Sequence, residues 1–396
     1  MSATWPKVRL GEIMRRNSRP YTLGADEDAN LVGMRLYGEG PFHRELKPAI
    51  RIAKKSHFII KTGDVIYNKL FAWKGAFGIV PLKLDGMFVS DKFPTYELDR
   101  SRVDERFLRW CFRRPALWEE ARGMSTGSAA LSKLTLNPPK FLLLTIPLPP
   151  LAEQRRIVAR IETLAVLIDE ARALRHQAAE GAEAFVRANR NRCFQELMLR
   201  CLPARLDTVA ACRLGKMLDP RFKTGVGSTP YLRNANVQWD RLDLSDVYQM
   251  DFKEAERTEF AVESGDILVC EGGDIGKAAV WNNEIPGCCY QKALHRIRCD
   301  PEVALPRFIL HHLFWAANEG HWRELKTQTT IAHLTGVKLK AYPVFVPPLP
   351  EQRRIVSKLD ALQAQVDALK HLQAETATEL DAILPSILDC AFKGDL

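Results

Sequence analysis

The sequence predicts an α+β protein written twice, with two globular domains, each followed by a long amphipathic helix. Three observations carry this reading. The block PPLAEQRRIV, Pro149 to Val158, returns as PPLPEQRRIV, Pro347 to Val356, with nine of ten positions identical at an offset of 198 in a chain of 396 residues. Upstream of each block lies a long segment of short apolar runs broken by Gly and Pro, the pattern of strands joined by turns. Downstream the apolar residues switch to helical spacing.

The correspondence extends beyond the block. LGEI at Leu10 parallels LGKM at Leu214, KTGDVIYNK around Gly63 and Asp64 parallels ESGDILVCE around Gly265 and Asp266, and RFLRWCF at Arg106 parallels RFILHHLF at Arg307. The Gly-Asp pairs mark matching corners between strands. Helices follow in VDERFLRWCFRRPALWEEA and LPRFILHHLFWAANEGHWREL. The expected domains are residues 1–148 and 205–346, with helical segments at 149–204 and 347–396.

In the first helical segment Ile157, Ile161, Leu164, Ile168 and Ala171 alternate steps of four and three, continuing through Ala178, Ala182 and Phe185. The second repeats this with Ile355, Leu359, Leu362, Val366 and Leu369, then Leu380 and Ile383. Both are heptad seams, interrupted by a polar residue at the same place, Arg175 or Gln373, which weakens a seam but fixes its register. Matched seams favour packing of the two helices on each other. The prolines before each block stiffen the entry, Glu153 and Glu351 suit the first helical turn, and Pro385 is expected to end the second helix.

With 46% hydrophobic residues the chain is large enough for two cores. It shows no signal-peptide core and no apolar run of the roughly 18 to 20 residues that spans a bilayer, so a soluble, cytoplasmic protein without a membrane partner is expected. Nine scattered cysteines fit reduced thiols. The net charge of +9 is uneven: +10 over residues 1–148, +2 over 149–204, zero over 205–346 and −3 over 347–396. An anionic partner for the first domain follows.

IPLPPLAEQRRIVARIETL and VFVPPLPEQRRIVSKLDAL, each closing a variable domain and opening a long helix, resemble the specificity subunit of type I restriction-modification enzymes, as does the ending AFKGDL, Ala391 to Leu396. The resemblance covers the whole chain. It implies two target-recognition domains separated by two long α-helices that form an antiparallel coiled coil. Each domain would read one half of a split double-stranded DNA target. The helices would set the spacer and dock methyltransferase (modification) subunits, through which restriction/translocase subunits join. It also implies a DNA-binding subunit with no catalysis and no cofactor of its own, acting in DNA methylation and phage defence.

Base reading needs donors and acceptors matched to base edges, whereas phosphate contact needs only charge. TPYLRNANVQW, read as a strand, sets Asn234, Asn236 and Gln238 on one face, with Arg233 suited to guanine or phosphate. An exposed polar face is the plainer alternative. Gln328, Thr329 and Thr330 correspond to Ser128 in the first domain, in small polar loops that approach DNA or are merely solvated. Arg15, Arg16, Lys54, Lys55, Asn68, Lys69 and Lys74 supply charge in the first domain, and Arg35 lies where Asn236 would be. Lys277 sits by a glycine turn. The charge asymmetry implies that the first domain carries most of the salt-dependent affinity.

Catalytic look-alikes fail on context. LNPPKF has Lys140 where a methyltransferase loop needs an aromatic to stack on a flipped base. GMSTG follows a charged helical stretch instead of a buried strand, and EGGDIGKAA has Glu271 and Ala278 at two required P-loop positions. No zinc-like spacing is present. An unseen methyltransferase or nuclease site, or an interaction protein without sequence preference, are the alternatives.

Overall fold

The computed structural model describes residues 5–24, 27–52, 56–127, 134–217, 225, 227–321 and 334–396. The chain divides into two compact units, Met1–Arg175 with Gln373–Leu396, and His176–Leu372. Each unit holds one mixed α/β domain, one half of the long helix Leu151–Arg200 and part of the C-terminal helical segment.

The two domains share a sheet. In the first unit the antiparallel strands Met14–Asn17, Thr95–Leu98, Val65–Tyr67 and Phe77–Ile79 lie in that spatial order. In the second the order is Ala210–Leu214, Leu294–Cys299, Ile267–Cys270 and Ala278–Val280. A two-stranded ribbon closes each domain, Lys7–Arg9 with Thr145–Pro147 and Ala204–Arg205 with Pro343–Val344. Beside these lie dissimilar sheets, five-stranded in the first unit and three-stranded in the second. The copies therefore keep one scaffold and vary what is attached to it.

The ribbons correct one parallel drawn from sequence. The LGEI turn, Leu10–Glu12, matches the turn Leu206–Thr208 and not LGKM, since Leu10 N bonds to Leu144 O and Leu206 N to Tyr342 O, both at 2.9 Å. The Gly-Asp corners do match. Gly63 and Gly265 have φ of +82° and +92°, a region that costs glycine nothing. The aspartate that follows is buried in each copy. Asp64 accepts from Lys61 N at 2.8 Å and pairs with Arg19 at 2.6 Å, while Asp266 accepts from Glu263 N at 2.7 Å and pairs with Arg298 at 2.7 Å. A buried carboxylate left alone would cost several kcal/mol, about what breaking a buried pair costs.

Within each unit two helices run antiparallel. In the first, Arg156 donates to Leu396 O at 2.8 Å and Arg172 to Asp381 at 2.9 Å. In the second, Glu183 meets Lys370 and Arg200 meets Glu351. Of the seam residues, Ile157, Ile161, Ile168, Ile355, Leu359 and Val366 are buried, and Leu164 and Leu362 are half-buried. Their burial is not all between helices. Ile157 and Ile161 share a core with Phe107, Leu388 and Phe392, and Ile355 and Leu359 share one with Phe194 and Phe308.

Beyond the polar interruptions the seams depart from the heptad reading. Phe185 is 58% exposed while Val186 is buried, and Ile383 is 41% exposed while Leu388 is buried. Ala178 is exposed as well. A helix of 3.6 residues per turn drifts by about 20° per heptad from a 3.5-residue repeat, and one extra residue between seam positions returns the apolar face to its partner. Pro385 does not end a helix. It lies inside Ala377–Lys393, and the break comes earlier, at Thr376, after Leu349–Glu375.

Candidate nucleic-acid interface

In each unit, segments singled out by their chemistry converge on one hairpin tip. The tip joins the strands ending at Tyr67 and Cys270 to those starting at Phe77 and Ala278. In the first unit it carries Asn68, Lys69 and Lys74, and the segment leaving the strand Asp28–Arg35 bonds to it through Tyr37 N to Lys74 O at 2.8 Å and Gly38 N to Gly75 O at 2.7 Å. In the second it carries Lys277, which donates to Gln238 Oε1 at 2.8 Å and Asp274 at 2.5 Å. The stretch following each polar loop also reaches the tip: Leu136 N bonds to Lys69 O at 2.9 Å and Leu334 N to Glu271 O at 2.8 Å. Ser128, Gln328, Thr329 and Thr330 themselves, with Lys54 and Lys55, lie outside the described residues.

The remaining cations of the first unit are on its surface. Arg15 and Arg16 are exposed on the strand Met14–Asn17, opposite Glu97 and Tyr96. Arg16 and Lys69 line one small groove of about 130 Å³. Lys74 Nζ lies 4.9 Å from the Trp73 ring centre, and Arg35, exposed, lies 5.3 Å from that of Phe42. Asn68 accepts from Leu70 N at 2.9 Å.

The asparagine stretch of the second unit differs from the strand reading. Asn234–Asn236 is a one-turn helix, and only Val237–Gln238 continues as strand. Asparagine side chains offer the backbone local hydrogen bonds that compete with a ladder. Asn236 is 2% exposed; its oxygen accepts from Arg233 N at 2.9 Å and its amide donates to Asp243 O and Asp246 O at 2.8 and 3.1 Å. It holds the fold and has no edge left for a base. Arg233 is likewise occupied, paired with Asp246 at 2.9 Å and stacked 3.5 Å from the Tyr248 ring centre. Asn234 is exposed and Gln238 half-buried.

What sequence reasoning missed is the joint between domain and helix. Gln154 and Gln352, inside the repeated block, are both fully buried. Gln154 donates to Pro149 O at 2.8 Å and Arg102 O at 2.9 Å and accepts from Asp104 N at 2.8 Å. Gln352 donates to Pro347 O at 2.7 Å and Val303 O at 2.8 Å and accepts from Leu305 N at 2.9 Å. One amide thus ties the start of each long helix to the loop that opens a domain helix, Glu105–Phe112 or Pro306–Asn318. Two further contacts recur at each joint. Arg106 pairs with Glu162, and Arg307 with Asp360. The Phe107 and Phe392 rings lie 5.2 Å apart, and those of Phe194 and Phe308 5.5 Å apart.

The joint of the second unit is the more buried. Burial lowers the pKa of His311, which stays neutral and bonds to Asp360 at 2.9 Å. Burial alone would raise the Asp360 carboxyl, yet the bonds from His311 and Arg307 hold it down at about 2. Among the described residues no group of three or more His, Cys, Asp or Glu is placed to hold a metal, and no helix is long and apolar enough to cross a membrane.

Residues 205–377 match the family described as the type I restriction modification DNA specificity domain. The specificity subunit of the EcoKI type I restriction enzyme of Escherichia coli K12 is 25% identical over 307 residues, covering 69% of this chain and 62% of that one. That of StySPI from Salmonella potsdam is 25% identical over 293 residues, with the same coverage. The chain therefore spans 62% of the length of these curated relatives. A solved structure described as the basis of complex assembly and conformational transition in a type I restriction-modification system covers 100% of both chains, at 25% identity and a TM-score of 0.73. The HsdS subunit from Thermoanaerobacter tengcongensis shares the fold, with a TM-score of 0.64 at 24% identity over 99% of this chain and 97% of that one. Residues 205–377 thus match a type I restriction modification DNA specificity domain, and the whole chain is similar to a component of a solved type I restriction-modification system.

Proposed function

We propose that this chain is the non-catalytic DNA reader of a cytoplasmic type I restriction-modification complex. Target-recognition domains at 1–148 and 205–346 each read one half of a bipartite double-stranded target. The helical segments 149–204 and 347–396 set the spacer and dock methyltransferase subunits, through which restriction/translocase subunits join. The observation that carries this is the repeated joint: a buried Gln, an Arg–carboxylate pair and a phenylalanine pair fix each domain to its helix. Two half-sites on a duplex call for readers held at a set rise and rotation, which a stiff mount supplies.

Candidate contacts are the hairpin-tip and strand residues Arg15, Arg16, Asn68, Lys69 and Lys74 in the first domain, with Asn234, Gln238 and Lys277 in the second. Lysines and arginines would position the backbone, and the amides would read base edges. Exposed apolar residues on the long helix, among them Val166 at 57%, Leu167 at 54% and Leu174 at 65%, support a docked partner.

The purified chain, incubated with duplex DNA and S-adenosylmethionine, should transfer no methyl group until the methyltransferase subunit of its system is added. Transfer by the chain alone would overturn the reading.

A further inference from the structure

Where the helix Glu105–Phe112 meets the strands of the first domain there is a groove of about 590 Å³. Five cations line it, Arg35, Lys83, Arg106, Arg109 and Arg113, with Glu39 among them. Two of the five are spoken for: Arg106 pairs with Glu162 and Arg109 with Glu105 at 2.7 Å. Arg35, Lys83 and Arg113 make no ion pair among the described residues. Arg35 and Lys83 are exposed, and Arg113 lies half-buried with its guanidinium 4.9 Å from the Trp110 ring centre. Three cations without an ion pair outnumber the one such carboxylate, Glu39, on this concave wall and present a net positive surface to an anion.

The repeat supplies a comparison inside the same molecule. The corresponding notch of the second unit is lined by the cations Arg190, Arg241 and Lys370 and the carboxylates Glu183, Asp240 and Asp367, with Leu310, His311 and Phe314. Leu310 and Phe314 stand where the first unit has Arg109 and Arg113. There the arginine comes from the long helix instead: Arg190 is 5% exposed, 4.1 Å from the Phe314 ring centre, and faces Asp240 and Glu183. Its charge is turned inward and balanced by the unit's own carboxylates. Cations thus outnumber carboxylates in the first notch, five to two, whereas in its counterpart three face three.

We propose that the groove formed by Arg35, Lys83 and Arg113 is a phosphate-backbone site of the first domain, and that the second domain has no equivalent. This rests on the DNA-reading function proposed above and assigns that domain's salt-dependent affinity to named residues. Each arginine or lysine contact with a phosphate contributes about 0.9 to the slope of log affinity against log salt.

The test is anisotropy of the full chain on a labelled random-sequence duplex of about 30 base pairs, titrated from about 50 to 200 mM salt. R35Q/K83Q/R113Q should lower the slope by about 2 to 3, and R35Q/K83Q, whose side chains are both exposed, by about 2 with the melting temperature unchanged. R241Q, at the counterpart notch, should leave the slope alone. An unchanged slope in R35Q/K83Q overturns the site, and an equal fall in R241Q overturns the asymmetry. A wild-type chain that binds no duplex at any salt overturns the proposed function, and the groove with it.

Discussion

Arg175 and Gln373 stand one repeat length apart and donate to each other's main-chain carbonyls, Gln373 Nε2 to Arg175 O at 3.0 Å and Arg175 Nη2 to Gln373 O. Arg175 also donates to Thr376 Oγ1 at 2.9 Å. Reciprocal contact between equivalent positions is what a self-complementary pairing produces. The two polar interruptions of the seams are therefore one bridge. Q373A should cost about 1 kcal/mol, the usual net worth of a hydrogen bond. R175L/Q373L should instead match or exceed the wild-type melting temperature, because apolar residues suit a seam better than a polar pair does. What that variant should lose is register, seen as faster amide exchange near Thr376. A melting temperature below that of the wild type would show that the bridge is stabilising in itself.

The buried glutamines predict a larger effect. Q154A or Q352A strands two carbonyls and one N–H in a closed joint, at about 1–3 kcal/mol per group left unsatisfied. Either should loosen exchange protection locally, around Arg102–Asp104 for the first and Val303–Leu305 for the second. Calorimetry with exchange measurements checks both, and a loss spread evenly over the chain would contradict the joint.

The two arginine pairs at the joints look alike in sequence but should differ in energy. The Arg106 and Glu162 side chains are 62% and 36% exposed, so R106A should cost under about 1 kcal/mol. Arg307 is 34% exposed and bridges Asp360 and Asp240, with His311 also on Asp360. R307A strands those carboxylates and should cost more, about 3 kcal/mol. Equal losses in thermal denaturation would count against the difference in burial.

Acid should weaken the second unit first. Burial lowers the pKa values of His295, His311 and His312, the last to about 3. The unfolded chain takes up these protons from about pH 6.5 downward while the folded chain refuses them. Stability is therefore full above about pH 6.5 and is lost as the pH falls toward 3. H312Q keeps an acceptor for Phe345 N–H, which His312 Nε2 accepts at 3.2 Å, and removes one such proton. It should flatten the pH dependence of stability by up to about 1.4 kcal/mol per unit between those limits. A profile parallel to the wild type would contradict this.

The scaffold was legible because it is written twice: the Gly-Asp corners, the domain helices and the seams up to Arg175 and Gln373 all lie where the repeat puts them. The seams beyond those residues were not, because a heptad count takes no account of the drift that moves burial from Phe185 to Val186. Asn236 departs from the strand pattern that its polar neighbours suggest, because its three hydrogen bonds close a turn. Gln154 and Gln352 carry a signal, identity in both copies of the block, but their burial depends on the domain loops at Arg102–Asp104 and Val303–Leu305, which lie far away in sequence. The cationic groove was hidden for a different reason: Arg35, Lys83 and Arg113 are far apart in sequence, and only folding brings them together.

In the proposed function stiff helices set the distance between two half-sites. Removing one heptad from each, Asp169–Arg175 and Asp367–Gln373, shortens the pair by about 10 Å at 1.5 Å per residue, or about three base pairs. Methylated positions mapped by sequencing DNA treated with the variant and its methyltransferase should show the same two half-sites separated by a gap about three base pairs shorter. The original gap, methylated as well as before, would contradict the account.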